Sequence, residues 1–337
     1  MNEILFNPVT LAAAQSSMNL FEKVLFPLYW VFGKAMGFLM DLLNNEYFLA
    51  IVIFTVVTRL VLLPLNIRQQ RTAARTARLQ PKIQKIQNKY ANVKDPNARM
   101  KMNEEMQDLY AREGHNPMQM GCGPMLFQML FLMGIVGIIY YPLSYVIGMG
   151  EIRNFSSELS EFIQNFGYKG AYLQLGILEN WAEIKTDIIA AFPQLFTEDK
   201  VSAIEAFRSG MYIGDLDMTA IPHWKDGKIV IIPIVSFLTS FGSTIVSTLI
   251  QKKNNPAASQ QMSQMILMSL MMPFFSLYIA FKVPAAVGFY WIISNIVAIL
   301  QQLFIAKCYP PKRSQARIMI ENTIERRSRE NSLKRIK

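Results

Sequence analysis

The chain has 337 residues, of which 52% are hydrophobic and 17% are charged, and its formal net charge at pH 7 is +10. This excess of apolar residues argues against an ordinary soluble protein and indicates a membrane protein. Since the apolar residues lie in long runs, the predicted fold class is all-α, a polytopic membrane protein whose helices cross the lipid.

Residues 1–46 are predicted to lie on the outer face of the membrane. Phe21 to Leu43 is largely apolar, but it contains Asp41, is broken by Pro27 and carries the interfacial aromatic residue Trp30. These features are typical of an amphipathic helix that lies in the plane of the interface. The alternative is a sixth span, which would place the N-terminus inside.

Residues 47–65 are predicted to form the first membrane span. They form an almost unbroken apolar run of nineteen residues, the length that a helix needs to cross the hydrocarbon layer. Arg59 lies within this run, where a guanidinium costs at least ~2.5 to 3.5 kcal/mol. Its side chain either snorkels to the inner end of the helix or faces a water-filled cavity between helices. Thr55 and Thr58 place hydroxyl groups beside Arg59 and favour the cavity.

Residues 66–118 are predicted to form a cytoplasmic hairpin of two helices. The segment contains eleven basic and five acidic residues, and its apolar residues recur at helical spacing on both sides of a polar turn. Pro81 is expected to start the first helix, Asp95 to cap the second and Gly114 to end it. The hairpin is either an inert solvated element or, as its charge favours, a contact for anionic lipid or ribosomal RNA.

Four further apolar runs complete a prediction of five spans. They are residues 125–147, 229–250, 262–280 and 285–305, and they lead alternately outward and inward.

Residues 150–228 predict a polar, helical cap on the outer face. Helical patterns occur at Glu179 to Phe192 and at Glu198 to Arg208, and Thr197 is the expected cap of the second. The segment shows no catalytic arrangement. The two histidines of the chain are predicted to lie on opposite sides of the membrane, so no metal site is expected.

The distribution of charge predicts the orientation. Three stretches have a combined net charge of +15, and three others have a combined net charge of −6. The positive stretches are residues 66–118, 251–261 and 307–337, and the negative ones are 1–47, 150–228 and 282–286. Because Lys and Arg are retained in the cytoplasm, the N-terminus is predicted outside, and the C-terminus, with its basic tail, inside.

Several motifs resemble the YidC membrane protein insertase family, in the short form without a large N-terminal outer domain. They are TRLVLLPL with Arg59, LQPKIQ at 79–84, NP at 116–117 followed by CGPMLFQM, IQKK at 250–253 and FYWIISN at 289–295. The resemblance covers roughly residues 20–306, within which residues 151–213 are longer than the usual connection of the family and do not align with it. Ala286 stands where the family often has a glycine, which leaves the shape of the last outer turn open.

The resemblance implies five helices around a hydrophilic groove that is open to the cytoplasm and to lipid, with an arginine on the first span. The expected groove residues are Arg59, Thr55, Thr58, Gln128, Gln251, Trp291, Ser294 and Asn295.

The resemblance also implies a surface on the second and fourth spans along which substrate helices slide into lipid. Both spans are rich in methionine, whose unbranched side chain adapts to many partners. The expected slide residues are Met125, Met129, Met133, Met265, Met268 and Met272. Ordinary packing filler is the alternative reading of these methionines.

A non-enzymatic insertase and chaperone of the bacterial plasma membrane is therefore expected, without cofactor or metal. A secondary transporter or channel for an anionic solute is the alternative. The expected partners are nascent membrane proteins, the ribosome through the tail or the hairpin, and anionic lipid. Whether the protein works alone or beside the general secretion channel stays open.

Overall fold

A computed structural model describes residues 20–91, 97–113, 122–168, 172–225, 227–254 and 259–310, together with 320, 323, 324 and 327. These residues belong to two compact units. Unit 1 draws on 1–57, 128–238 and 276–294, and unit 2 draws on 58–127, 239–275 and 295–337.

The described residues are mostly helical. The long helices are α1 (Leu20–Leu42), α2 (Tyr47–Val61), α3 (Leu63–Tyr90), α4 (Ala98–Arg112) and α5 (Cys122–Tyr140). Shorter helices follow: α6 (Pro142–Tyr145), α7 (Ser156–Asn165), α8 (Leu173–Glu179), α9 (Trp181–Ala191) and α10 (Glu198–Ser209). An antiparallel hairpin of β1 (Tyr212–Ile213) and β2 (Leu216–Asp217) precedes α11 (Ile231–Asn254), α12 (Ser259–Ala280) and α13 (Ala285–Cys308).

Among the described residues, three helical stretches are long and apolar enough to cross a membrane. They are Val24–Leu42, Gly227–Lys252 and Ala285–Cys308, and the bent pair Tyr47–Val61 with Leu63–Gln70 makes a fourth if it counts as one span. Met129–Tyr140 and Ser269–Ala280 are shorter apolar helices. The length and composition of α1 thus suit a span as well as an interfacial helix, and five spans stay a prediction.

Pro27 lies inside α1 and does not break it. Proline removes one helical hydrogen bond and crowds the carbonyl one turn earlier, so packing must offset that cost. In unit 1, α1 lies so close to α6 that a Cβ on Gly33 would come within 2.5 Å of the carbonyl oxygen of Tyr145. The rings of Tyr29 and Tyr145 also meet edge to face at 5.2 Å.

The second predicted span ends earlier than its apolar run. Helix α5 stops at Tyr140, and Pro142 opens the short helix α6 after Tyr141 turns the chain. The residue before a proline is disfavoured in helical conformation, which explains the break. By contrast, α11 continues past residue 250 to Asn254, because Gln and Lys prolong a helix beyond the apolar run.

The described residues of 150–228, named the outer segment after their predicted location, pack within unit 1. The predicted helical ranges agree with α9 and α10, and Thr197 is the N-cap of α10, although its side chain makes no capping hydrogen bond. The buried core of this segment includes Leu159, Ile163, Ile177, Ile184, Ile188, Ile204 and Phe207.

Backbone contacts join this segment to the helices of unit 1. The amide N–H of Ala285 donates to the carbonyl of Ala220, and that of Ala286 donates to the carbonyl of Met218, both at 2.9 Å. These bonds satisfy two of the N–H groups that every helix N-terminus leaves unpaired. Ala286 is fully buried there, so the last outer turn is shaped by the outer segment.

In unit 2, α3 and α4 form the predicted antiparallel hairpin. Lys82 pairs with Glu113 and Lys89 pairs with Glu105, so the partners follow in reverse order and the two helices run antiparallel. The hydrogen bond from Lys89 holds the pKa of the Glu105 carboxyl below its ordinary value. Leu79 is buried in this hairpin.

The ends of the hairpin helices differ from the sequence prediction. Pro81 lies inside the continuous helix α3 and does not start it, since buried apolar residues on both sides hold the helix together. Helix α4 begins at Ala98 after the N-cap Asn97. Asp95 and Gly114, the predicted cap and stop, lie outside the described residues.

Candidate functional site

The helix that carries Arg59 is bent close to that residue. Helices α2 and α3 meet at Leu62 with an angle of 48° between their axes. The backbone bonds from Leu62 N–H to Thr58 and from Asn66 N–H to Leu62 are both 3.0 Å long, so the chain stays coiled through the bend. Pro64 explains the angle, because it donates no hydrogen bond to the carbonyl one turn earlier and its ring crowds that carbonyl.

Arg59 lies in the last turn of α2 and its side chain is half-buried. In unit 2, its main-chain carbonyl accepts a hydrogen bond of 3.2 Å from the side-chain amide of Gln301 on α13. This contact joins residues 242 positions apart in the chain. It ties the turn that bears Arg59 to another helix.

Two more predicted groove residues of unit 2 make polar contacts. The side-chain amide of Asn295 donates to the hydroxyl of Thr239 on α11 at 3.5 Å. Gln251 is exposed, and its amide donates to the hydroxyl of Ser247, one turn earlier, at 3.1 Å. These contacts give α11 and α13 polar faces within that unit.

The predicted groove residues of unit 1 are more enclosed. Thr55 is 1% exposed, and its hydroxyl donates to the carbonyl of Ile51 in its own helix at 2.7 Å. Ser294 is buried and Trp291 is half-buried. The structure does not describe the side chain of Gln128.

The predicted slide residues are described only in part. Met129 is 52% exposed and Met272 is 61% exposed, while Met133 is half-buried against the core of unit 1. The side chains of Met125, Met265 and Met268 lie outside the described set. Exposed methionines on the apolar helices α5 and α12 are compatible with contact to lipid or to another helix.

Gln301 was not singled out as a site residue by sequence reasoning. A signal for it is present, because Ser294, Asn295, Gln301 and Gln302 form two pairs seven residues apart. Seven residues make almost two helical turns, so both pairs lie on one face of α13. The contact with Arg59 itself has no sequence signal.

The pKa of one carboxyl group in the outer segment, that of Glu179, is shifted from its ordinary value. Burial and, to a smaller extent, the nearby charge of Asp217 raise the pKa of Glu179, while Arg208 and His223 oppose the shift. Asp217 itself accepts hydrogen bonds from the backbone and hydroxyl of Thr219 at 2.9 and 2.6 Å. Asp217 is the last residue of β2, so these two hydrogen bonds fix the end of the β-hairpin.

Comparison with known proteins identifies relatives over most of the chain. The sequence model of the 60Kd inner membrane protein family matches residues 38–313. The membrane protein insertase YidC 2 of Listeria innocua is 29% identical over 292 residues, which is 87% of this chain and 74% of that protein. YidC of Pediococcus pentosaceus is 27% identical over 274 residues, or 81% of this chain and 71% of its own.

A shorter match is stronger in identity. YidC of Oceanobacillus iheyensis is 38% identical over 104 residues, which cover 31% of this chain and 39% of that protein. The family match spans far more than half of the present chain. The motifs around Arg59, Gln251 and Trp291 fall inside that matched region. The chain therefore belongs to the 60Kd inner membrane protein family and is a member of the YidC membrane protein insertases.

Proposed function

We propose that this protein is a membrane protein insertase and chaperone, which helps newly made membrane proteins to enter the bilayer and fold. The observation that carries the proposal is Arg59, a half-buried cation in the last turn of an apolar helix. Such a charge is costly in a membrane and is retained where it has a role. The names of the relatives support the same function.

The physical task is to lower the barrier for a polar segment. A peptide in hydrocarbon leaves its backbone groups without hydrogen bonds, and each such group costs several kcal/mol. A groove that holds water part of the way across shortens the apolar path. Arg59, Thr58, Gln251 and Asn295 of unit 2 are the residues that we assign to this groove, together with Thr55, Gln128, Trp291 and Ser294 of unit 1.

Arg59 would act as a positive charge that attracts acidic residues of the incoming segment. A guanidinium attracts a carboxylate more strongly where water is scarce. The protein then needs no covalent chemistry and no nucleotide, because the free energy comes from moving the apolar part of the substrate into lipid. Met129 and Met272, both exposed, belong to the surface along which we expect that apolar helix to leave.

The basic segments are the proposed contacts to the ribosome and to anionic lipid. On the hairpin, Lys82 and Lys89 are paired with carboxylates, while Arg68, Lys85 and Arg99 are also exposed and add positive charge to the surface. Phosphate contacts release counterions, so binding should weaken as salt rises.

Deletion of residues 312–337 tests which basic segment binds the ribosome. We expect the truncated protein to fold normally and to bind ribosomes more weakly, with a smaller dependence on salt. Equal binding of the full and truncated proteins at every ionic strength would assign the contact to the hairpin.

The proposed function is tested by depleting the protein in cells and supplying it again. Small membrane proteins should accumulate uninserted on depletion, and the intact gene should restore their insertion. Uptake of dissolved anions should be unchanged. If anion uptake fails while insertion continues, the protein is a transporter and the proposal is wrong.

A further inference from the structure

The carbonyl of Arg59 is held by a residue from the other end of the chain. The side-chain amide of Gln301 donates to it at 3.2 Å, and both residues belong to unit 2. Gln301 is half-buried on α13, a helix long and apolar enough to span a membrane. A side-chain amide in such a helix is costly unless it forms hydrogen bonds, and the bond to the Arg59 carbonyl is one that Gln301 forms.

The contact lies next to the bend between α2 and α3. Leu62 separates α2 from α3, and Pro64 cannot donate to the carbonyl of Leu60. A helix bent by proline lacks one of the bonds that normally hold adjacent turns in register. The direction of the last turn of α2 is therefore less constrained by the helix itself.

The direction of that turn decides where the Arg59 side chain points. The backbone fixes the direction of the Cα–Cβ bond, so a rotation of the turn changes the direction in which the side chain leaves the helix and the region that its guanidinium can reach. A hydrogen bond to the carbonyl of the same residue opposes that rotation. The bond acts on the main chain and does not involve the guanidinium.

The polar face of α13 makes two such cross-links in unit 2. Asn295 donates to Thr239 of α11, and Gln301 donates to the Arg59 carbonyl of α2. The neighbouring Gln302 differs, because its side-chain carbonyl oxygen is buried and accepts no hydrogen bond from the described residues. Gln302 therefore offers a matched control on the same helix.

We propose that Gln301 is a positioning residue, which holds the bend between α2 and α3 and thereby orients the side chain of Arg59. The role in insertion rests on the proposed function of Arg59. The positioning itself does not, and the two can be measured separately.

The first measurement reports position without reference to insertion. In a protein with Cys122→Ser and Cys308→Ser, Arg59→Cys is reacted with a cationic methanethiosulfonate reagent in vesicles. The Gln301→Met substitution has nearly the same shape but cannot donate a hydrogen bond. We expect it to change the reaction rate at position 59 by roughly two- to tenfold, the range that one hydrogen bond of ordinary net strength permits.

The neighbouring residue Gln302 provides the control. Gln302→Met should leave the rate at position 59 within a factor of two of the parent. An unchanged rate in Gln301→Met, or an equal change in both variants, would overturn the positioning role. If thermal unfolding shows that Gln301→Met is not folded, Gln301→Asn replaces it. The side chain of asparagine is one methylene shorter, so its amide is withdrawn from the Arg59 carbonyl.

The second measurement uses insertion with Arg59 intact. Two substrates that differ only in having an acidic or a neutral outer segment are inserted into vesicles that carry each variant. Gln301→Met should lower the ratio of acidic to neutral insertion by up to roughly threefold, the preference that the charge of Arg59 can itself give in a groove that contains water, while neutral insertion stays constant. Equal losses for both substrates would show general damage and overturn the proposal.

The two measurements separate two kinds of failure. If the parent protein shows no preference between the substrates, the charge role of Arg59 is wrong, and the reaction rate at position 59 still decides the role of Gln301. If the parent shows a preference that Gln301→Met leaves intact, Gln301 has no positioning role in insertion.

Discussion

The strongest test of the proposed function is a charge series at Arg59. Arg59→Ala removes the guanidinium and keeps the main-chain carbonyl that Gln301 contacts. The break at Leu62 lies three residues further on, ~4.5 Å along the helix axis, so Arg59 is close to a point where the helix changes direction. Because an arginine within a membrane helix costs at least ~2.5 to 3.5 kcal/mol, removal of the guanidinium in Arg59→Ala should not lower folding stability.

The expected effect on insertion follows from Coulomb's law. One substrate carboxylate held ~6 Å from the guanidinium gains ~0.7 kcal/mol in water and ~2.8 kcal/mol at an effective dielectric constant of 20. These values correspond to roughly threefold and hundredfold preferences for an acidic segment. A groove that contains water should lie near the lower value. Arg59→Lys should keep most of the preference, because a point charge suffices where no bidentate contact is needed.

The assay compares matched substrates whose outer segments differ only in charge, inserted into vesicles that carry each variant. Arg59→Ala should fold at least as well as the parent and lose the preference for acidic segments. Arg59→Glu should be worst for those segments, because like charges repel. Equal losses across the substrate series would refute the charge role. Loss of folded protein in Arg59→Ala would make Arg59 a structural partner instead.

Three further predictions concern orientation, packing and pH. Single cysteines at Gln87 and Glu183 should react with an impermeant reagent in intact cells only at the second position, and reaction at the first would overturn the predicted orientation. Gly210→Ala should lower the free energy of unfolding by ~1 to 3 kcal/mol, because the new Cβ would lie 1.9 Å from a backbone oxygen, whereas Gly150→Ala, with open space around it, should not. Thermal unfolding measures both. Because burial raises the pKa of Glu179, its contribution to stability falls as pH rises above about 4.5, so Glu179→Gln should gain stability relative to the parent between acidic and neutral pH. A difference in melting temperature that does not change with pH would contradict this.

The sequence alone determined the class of the protein and identified Arg59 as a charge within an apolar run. Long apolar runs predict helices that can span a membrane, because the bilayer offers no other partner for the backbone. Arg59 stands out for the same physical reason, since a charge in such a run is costly. The motifs around it predict the family, and the family match over residues 38–313 confirms that prediction.

Local rules were less reliable at prolines and at helix ends. Pro27 and Pro81 lie inside helices, although proline at these places predicts a break or a start. Each helix continues because buried residues next to the proline pack against another helix. The cost at a proline is local and visible in the sequence, whereas the packing that offsets it is not.

Only the tertiary structure decided which distant residues meet. The amide of Gln301 reaches the Arg59 carbonyl across 242 positions of the chain, and the outer segment supplies carbonyls to the N–H groups of Ala285 and Ala286. Such contacts depend on the register in which separate helices pack, and a shift of one residue would turn Gln301 by about 100° away from its partner. Hydropathy and spacing record which face of a helix is polar. They do not record which backbone carbonyl that face will meet.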